Sequence, residues 1–191
     1  MDRRAFIVTA AGLLAAPLAA GGQQAAKIAR LGWLGAHPGA SGLPREAFLQ
    51  GLRDLGYVEG RNFVIEYRDA EGKFERLPAL AAELVALKVD VIVVGGTVAA
   101  LVAKQATRTL PVVFVSATDP VADGLVTSLA RPGGNVTGLS ALAPELVGKR
   151  LELLKQAVPG LSRVALLWQP GAAGERTEKD VLKEAEVSAR Q

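Results

Sequence analysis

The feature that most constrains the fold is a regular alternation of short apolar runs with longer amphipathic segments. Each run is rich in β-branched residues and is bounded by glycine, proline or other turn residues, as β-strands are. Runs of this kind lie at residues 28–34, 63–67, 89–95, 111–117 and 135–140. Strands that alternate with helices across short connections form parallel sheets with right-handed crossovers. The sequence therefore predicts an α/β fold built on a doubly wound parallel sheet.

The segments between these runs carry the spacing of amphipathic helices. The first begins at Pro44, because proline is favoured in the first turn of a helix, and ends before Gly56. A helix is also predicted after Asp119, which would be its N-cap, with Leu125 and Leu129 facing inward. The remaining helix patterns cover residues 77–87, 97–106, 147–158 and 175–190.

A sixth apolar run, RVALLW at residues 163–168, lies beyond the helix predicted at 147–158. A single strand with one helix cannot bury both of its faces. The run either joins the first sheet or opens a second domain whose remainder is missing from the chain.

Residues 1–22 have the composition of an export signal. A charged start that contains Arg3 and Arg4 precedes an apolar, alanine-rich stretch, and the small residues Ala20 and Gly22 mark a cleavage site. An amphipathic N-terminal helix is the alternative, and it is disfavoured because the stretch is apolar on all sides. The arginine pair is compatible with twin-arginine export, so the export route stays open. We expect the processed protein to be periplasmic.

Composition and motifs exclude several classes of function. The chain of 191 residues has a formal net charge of +3, one histidine and no cysteine. Basic runs with interleaved aromatic residues are lacking, which argues against nucleic-acid binding. Dinucleotide, phosphate-loop and nucleophile-elbow motifs are absent, and no metal-ligand spacing occurs. The sequence therefore predicts no cofactor, no metal and no catalytic set.

Ligands of doubly wound sheets bind outside the carboxyl ends of the strands. Gly96 and Thr97 follow a buried strand directly and open a helix, and residues 116–119 follow the next strand. Helix N-termini offer unpaired N–H groups and partial positive charge, which suit a carboxylate or another polar group. The alternative is that Thr97 and Asp119 only cap their own helices. Trp168, at the end of the sixth run, fits a ligand-stacking role and a core role equally well.

At these loops the sequence resembles a known family. The carrying segments are GYVEGRNFVIEYRDAEG, DVIVVGGTVAALVAKQAT, DPVADGLVTSLARPGGNVTGLS and KRLELLKQAVPGLSRVALLWQP. They are similar to substrate-binding proteins of ABC transporters with the type I periplasmic-binding-protein fold, in a group with tryptophan- and tyrosine-binding members. The resemblance extends from the leader to Pro170.

The resemblance implies two α/β lobes that bind a small solute in the cleft between them. Such proteins deliver the solute to a membrane permease and do no chemistry on it. Residues 27–142 would be the first lobe, and residues 143–191 a crossover helix and the start of an incomplete second lobe. The implied solute contacts are Ala36, His37, Gly96, Thr97, Ser116, Thr118, Asp119, Ser140, Trp168 and Gln169. His37 departs from the small polar residue that is common there, which leaves the solute open.

Two other functions remain as hypotheses. A ligand sensor of a signalling system would need a DNA-binding helix-turn-helix or a membrane span, for which the sequence carries no pattern. A hydrolase on a flavodoxin-like sheet would have to use His37 or Asp119. Because closure around a solute needs two walls, we also expect this chain alone to bind solute weakly.

Overall fold

The computed structural model describes residues 28–36, 42–141, 144–171 and 173–190. Its strands are β1 (Ala29–Gly35), β2 (Phe63–Asp69), β3 (Val91–Val94), β4 (Val112–Ala117) and β5 (Val136–Ser140). They form one parallel sheet of five strands in the order β2-β1-β3-β4-β5. The predicted parallel α/β sheet is therefore confirmed. The predicted export signal lies outside the described residues.

The helices are α1 (Gly42–Asp54), α2 (Leu77–Ala86), α3 (Thr97–Ala106), α4 (Val147–Ala157) and α5 (Glu175–Ala189). Short 3₁₀ turns at Phe74–Arg76 and Pro144–Leu146 lead into α2 and α4. Each of these helices falls on a segment with a predicted helical pattern. Helices α2 and α3 pack against each other.

One face of the sheet is covered by α2 and α3. Leu34, Ile92 and Val94 point to this face and are fully buried with the helix leucines and alanines. Gly32 lets α2 approach closely, since a Cβ there would lie 3.0 Å from a methyl carbon of Leu84. Strands buried in this way read as continuous apolar runs, which is what the sequence shows.

The opposite face is covered by α1 at the β1–β2 side. The rings of Trp33 on β1 and Phe48 on α1 have centroids 5.7 Å apart, and the Arg45 guanidinium lies 4.9 Å from the ring centre of Tyr67 on β2. At the other side of the sheet, Leu139 on β5 is 70% exposed. The two faces of the sheet are therefore covered unequally.

The helix predicted after Asp119 is wrong, because the chain forms consecutive turns there. The ammonium of Lys104 binds the carbonyl oxygens of Gly124 and Leu125, which helical hydrogen bonds would otherwise use. Gly124 has a φ of 69°, a left-handed conformation that ends helical geometry. Leu125 is buried as predicted, whereas Leu129 is 54% exposed.

The strand predicted at residues 163–168 is also wrong. Residues 163–168 have no assigned secondary structure, they pair with none of the described strands, and they do not join the sheet. Next to it, α4 and α5 pack against each other, and Gly148 lies close to Ser188 at their contact. A β-strand needs a neighbouring strand to pair its backbone N–H and C=O groups, and the described residues provide no such strand for residues 163–168. The proposed division at residues 142 and 143 stays a prediction.

Candidate functional site

The candidate site lies at the carboxyl ends of β1, β3 and β4. The chain leaves β1 toward β2 on one side, while β3 lies on the other, so the strand order reverses between β1 and β3. In sheets of this order, the crevice at such a reversal is where ligands bind. The N–H of Gly95 donates to the carbonyl oxygen of Leu34 at 3.4 Å, which joins the ends of the two strands.

Gly96 is the N-cap of α3 and connects β3 to that helix. Its φ of 85° and ψ of 167° are a backbone conformation that a residue with a Cβ adopts only with strain. A Cβ added to Gly96 would meet no atom within 4 Å, so glycine is needed here for the backbone conformation and not for space. Gly96 has no side chain with which to cap the N-terminus of α3. The first turn of α3 therefore turns N–H groups toward the strand-end crevice that its own N-cap residue does not satisfy.

Thr97 and Thr118 join α3 to the end of β4. Their hydroxyl oxygens lie 3.0 Å apart, and the backbone N–H of Thr118 donates to the Thr97 hydroxyl at 3.1 Å. The Thr97 residue is 1% exposed. The hypothesis that Thr97 caps its own helix is wrong, because its hydroxyl is directed at the neighbouring strand. Thr118, which is partly buried, is the member of the pair nearer to solvent.

Asp119 stabilises the turn that follows β4. Its carboxylate accepts hydrogen bonds from the N–H groups of Val121 at 3.1 Å and Ala122 at 2.9 Å. The predicted capping role is thus observed on a turn, since no helix follows. Asp119 keeps partial exposure beside Thr118.

The other predicted contacts are placed as follows. Ala36 directly follows β1, and its carbonyl oxygen accepts a hydrogen bond from the N–H of Gly72 at 2.8 Å. Ser140 pairs with Ala117 in the ladder between β4 and β5. Ser116 lies in β4, and His37 lies outside the described residues. Trp168 is 51% exposed and Gln169 is exposed, and both residues lie outside the sheet, between α4 and α5. The packed-core alternative for Trp168 is wrong.

Sequence reasoning missed Asp123 and Thr177. The Asp123 carboxylate, in the turn after β4, accepts hydrogen bonds from the backbone N–H and the hydroxyl of Thr177 in α5. The dipeptide Asp123-Gly124 is a turn signal, and it could have corrected the helix predicted there. No local pattern reveals a partner that lies 54 residues away.

Tyr67 and Glu175 have shifted pKa values, and neither residue belongs to the candidate site. Burial raises the pKa of Tyr67, with Glu59 adding to the effect and Arg45 opposing it. A hydrogen bond from Lys179 holds the pKa of Glu175 below its usual range. Within the described ranges, no three histidine or acidic residues are grouped as metal ligands. None of the described helices is long and apolar enough to cross a membrane.

Comparison with known proteins identifies the family. Residues 36–189 match the ABC transporter substrate binding protein family. A tyrosine-binding protein of Clostridioides difficile (strain R20291) is 32% identical over 138 residues, which are 72% of this chain and 39% of that protein.

Two solved structures are similar over most of this chain. A conserved domain protein of Vibrio cholerae O1 biovar El Tor has 33% identity and a TM-score of 0.78, over 86% of this chain and 54% of that chain. An ABC domain in complex with L-Trp from Streptococcus pneumonia has 29% identity and a TM-score of 0.73, over 85% and 53%. This chain thus spans about half of their length or less. It belongs to the ABC transporter substrate binding protein family.

Proposed function

We propose that this chain forms part of an extracytoplasmic receptor that binds an amino acid and delivers it to the permease of an ABC importer. The observation that carries the proposal is the junction of Thr97 and Thr118, which places the uncapped start of α3 beside the end of β4. Residues 1–22, with the composition of an export signal, support the location outside the cytoplasm.

The chemistry of the strand ends suits the carboxylate of an amino acid. The first N–H groups of α3 carry partial positive charge, and the N-cap residue Gly96 has no side chain to accept from them. The Thr118 hydroxyl adds a donor or acceptor at the same edge. These groups suit the binding and orientation of an anion. Binding and release, without chemistry, is the activity that this arrangement supports.

Aromatic amino acids are the first solutes to test. A relative is named a tyrosine-binding protein, and a solved neighbour holds L-Trp. Trp168, which lies between α4 and α5 and is half exposed, is a candidate for stacking on an aromatic solute. The remaining predicted contacts, including Ala36, His37, Ser140 and Gln169, belong to the same proposed cleft.

A thermal-shift screen tests the solute class. The chain is heated with L-Trp, L-Tyr, L-Phe, L-Leu and L-Ala at millimolar concentration, because weak binding is expected. At ten times the Kd a solute stabilises by about 1.4 kcal/mol, which raises the Tm by roughly 3–5 °C. We expect the aromatic amino acids to give the largest shifts. Indole, which has the ring without the carboxylate, is the matched control and should give none.

Substitution at the strand ends completes the test. Thr118→Val keeps the side-chain volume and removes the hydroxyl, so it should reduce the shift caused by the active amino acid. Asp54→Asn, on the far end of α1, is the control and should leave that shift unchanged. Equal shifts from indole and L-Trp, or shifts that Thr118→Val does not alter, would contradict the proposed site.

A further inference from the structure

The turn after β4 holds the start of α5 through a single carboxylate. The backbone N–H of Thr177 donates to Asp123 Oδ1 at 3.1 Å, and the Thr177 hydroxyl donates to Asp123 Oδ2. Thr177 is the third residue of α5 and is 1% exposed, so the Thr177 end of both hydrogen bonds is buried, while Asp123 is partly exposed. A carboxylate that accepts two hydrogen bonds at a helix N-terminus also gains from the helix dipole.

The cap of α5 does not come from the residue at its N-cap position. The N-cap residue of α5 is Gly174, which has no side chain to offer. A Cβ on Gly174 would lie 2.0 Å from the Asp123 carboxyl carbon, so the two residues are in close contact. The φ of −66° and ψ of 149° at Gly174 are open to any residue. Glycine is therefore needed here for space, to let Asp123 reach the helix.

The turn that carries Asp123 is itself fixed to the first half. Lys104 of α3 binds the carbonyl oxygens of Gly124 at 2.7 Å and Leu125 at 3.2 Å. The Asp119 carboxylate fixes the start of the same turn through the N–H groups of Val121 and Ala122. A continuous set of hydrogen bonds thus leads from α3 through the turn to α5.

We propose that Asp123 is a positioning residue that holds α5 against the strand-end turn of the first sheet. The Asp123–Thr177 contact fixes where α5 begins relative to the turn that follows β4. The importance of that placement for solute binding rests on the proposed function. The contact itself does not, so it is tested in the absence of solute.

Hydrogen exchange of the Thr177 amide, followed by NMR in the 191-residue chain, tests the contact. Asp123→Ala removes both acceptors, so this amide should exchange roughly five- to thirty-fold faster. Asp123→Asn keeps one acceptor oxygen and should give a smaller increase. The control Asp180→Asn changes an aspartate of α5 that lies 3.8 Å from Arg176 of the same helix, and it should leave the exchange unchanged.

The amides of Ile92 and Val94 in the sheet show whether each variant stays folded. Thr177→Val removes only the hydroxyl and provides a second test. Amides at the start of α5 should exchange faster in this variant, while those in β3 should exchange at the parental rate. Thr177→Ser keeps a hydroxyl and should retain the parental protection. The proposal is overturned if the Thr177 amide exchanges at the parental rate in Asp123→Ala and Thr177→Val. A chain that binds no amino acid but shows the predicted exchange would contradict the proposed function alone.

Discussion

Two apolar segments of similar composition have opposite fates in this chain. Val91–Val94 is a strand between β1 and β4, and its Ile92 and Val94 are fully buried. Residues 163–168 pair with no described strand, and Leu167 is 98% exposed. The difference teaches that β-propensity marks a segment able to pair, while the presence of a neighbouring strand decides whether a strand forms. Burial, and with it the stabilising free energy, follows the pairing.

The largest expected difference between the two regions comes from truncating one leucine in each. Leu84 on α2 is fully buried against the sheet, so Leu84→Ala should lower the free energy of unfolding by about 2–5 kcal/mol. Leu167→Ala should change it by less than about 0.5 kcal/mol, because little apolar surface is buried there. Urea unfolding followed by circular dichroism measures both. A large loss in the free energy of unfolding for Leu167→Ala would show that residues 163–168 are packed in solution.

Buried threonines give a smaller and more local contrast. Thr97→Val removes the acceptor of the Thr118 N–H, so it should lower the free energy of unfolding by about 1–2 kcal/mol. Thr177→Val should change the free energy of global unfolding by less than about 0.5 kcal/mol, because α5 packs mainly against α4 and not against the sheet. The same urea experiment compares the two variants. Equal global costs would show that α5 unfolds together with the sheet.

Helix glycines give the smallest effect. Gly51 in α1 has open space where a Cβ would be, so Gly51→Ala should stabilise the chain by about 0.5–1 kcal/mol. A Cβ added to Gly148 in α4 would lie 3.0 Å from the Ser188 hydroxyl oxygen, so Gly148→Ala should stabilise the chain less or not at all. The Tm of each variant measures the difference. An equal gain at both positions would mean that α4 and α5 are not in contact.

The sequence predicts local features better than contacts between distant segments. Strand β4 and helix α3 are readable because their apolar spacing and their flanking glycines and prolines are local. The parallel pairing of the strands follows from the helices that connect them, whereas the strand order was not predicted. The helix predicted after Asp119 failed because Lys104, on another helix, binds the carbonyl groups that it needed. Tertiary hydrogen bonds of this kind leave no periodic pattern in the chain.

The candidate site was predicted in part for the same reason. The meeting of Thr97 and Thr118 follows from the rule that adjacent parallel strands end at one edge. The use of the Thr97 hydroxyl as an acceptor for Thr118, and not as a cap for α3, depends on side-chain rotamers. The cap of α5 by Asp123 depends on how two halves of the chain meet. Neither is visible in residue spacing.

The central claim is that the strand ends at Gly96, Thr97 and Thr118 hold the carboxylate of a small solute. Its most direct test is an NMR titration of the 191-residue chain with L-Trp, with indole as the control. The account predicts saturable shifts of the Gly96, Thr97 and Thr118 amides with L-Trp and none with indole. Amide shifts confined to residues 161–169, or no shift at the strand ends at any millimolar concentration, would contradict it.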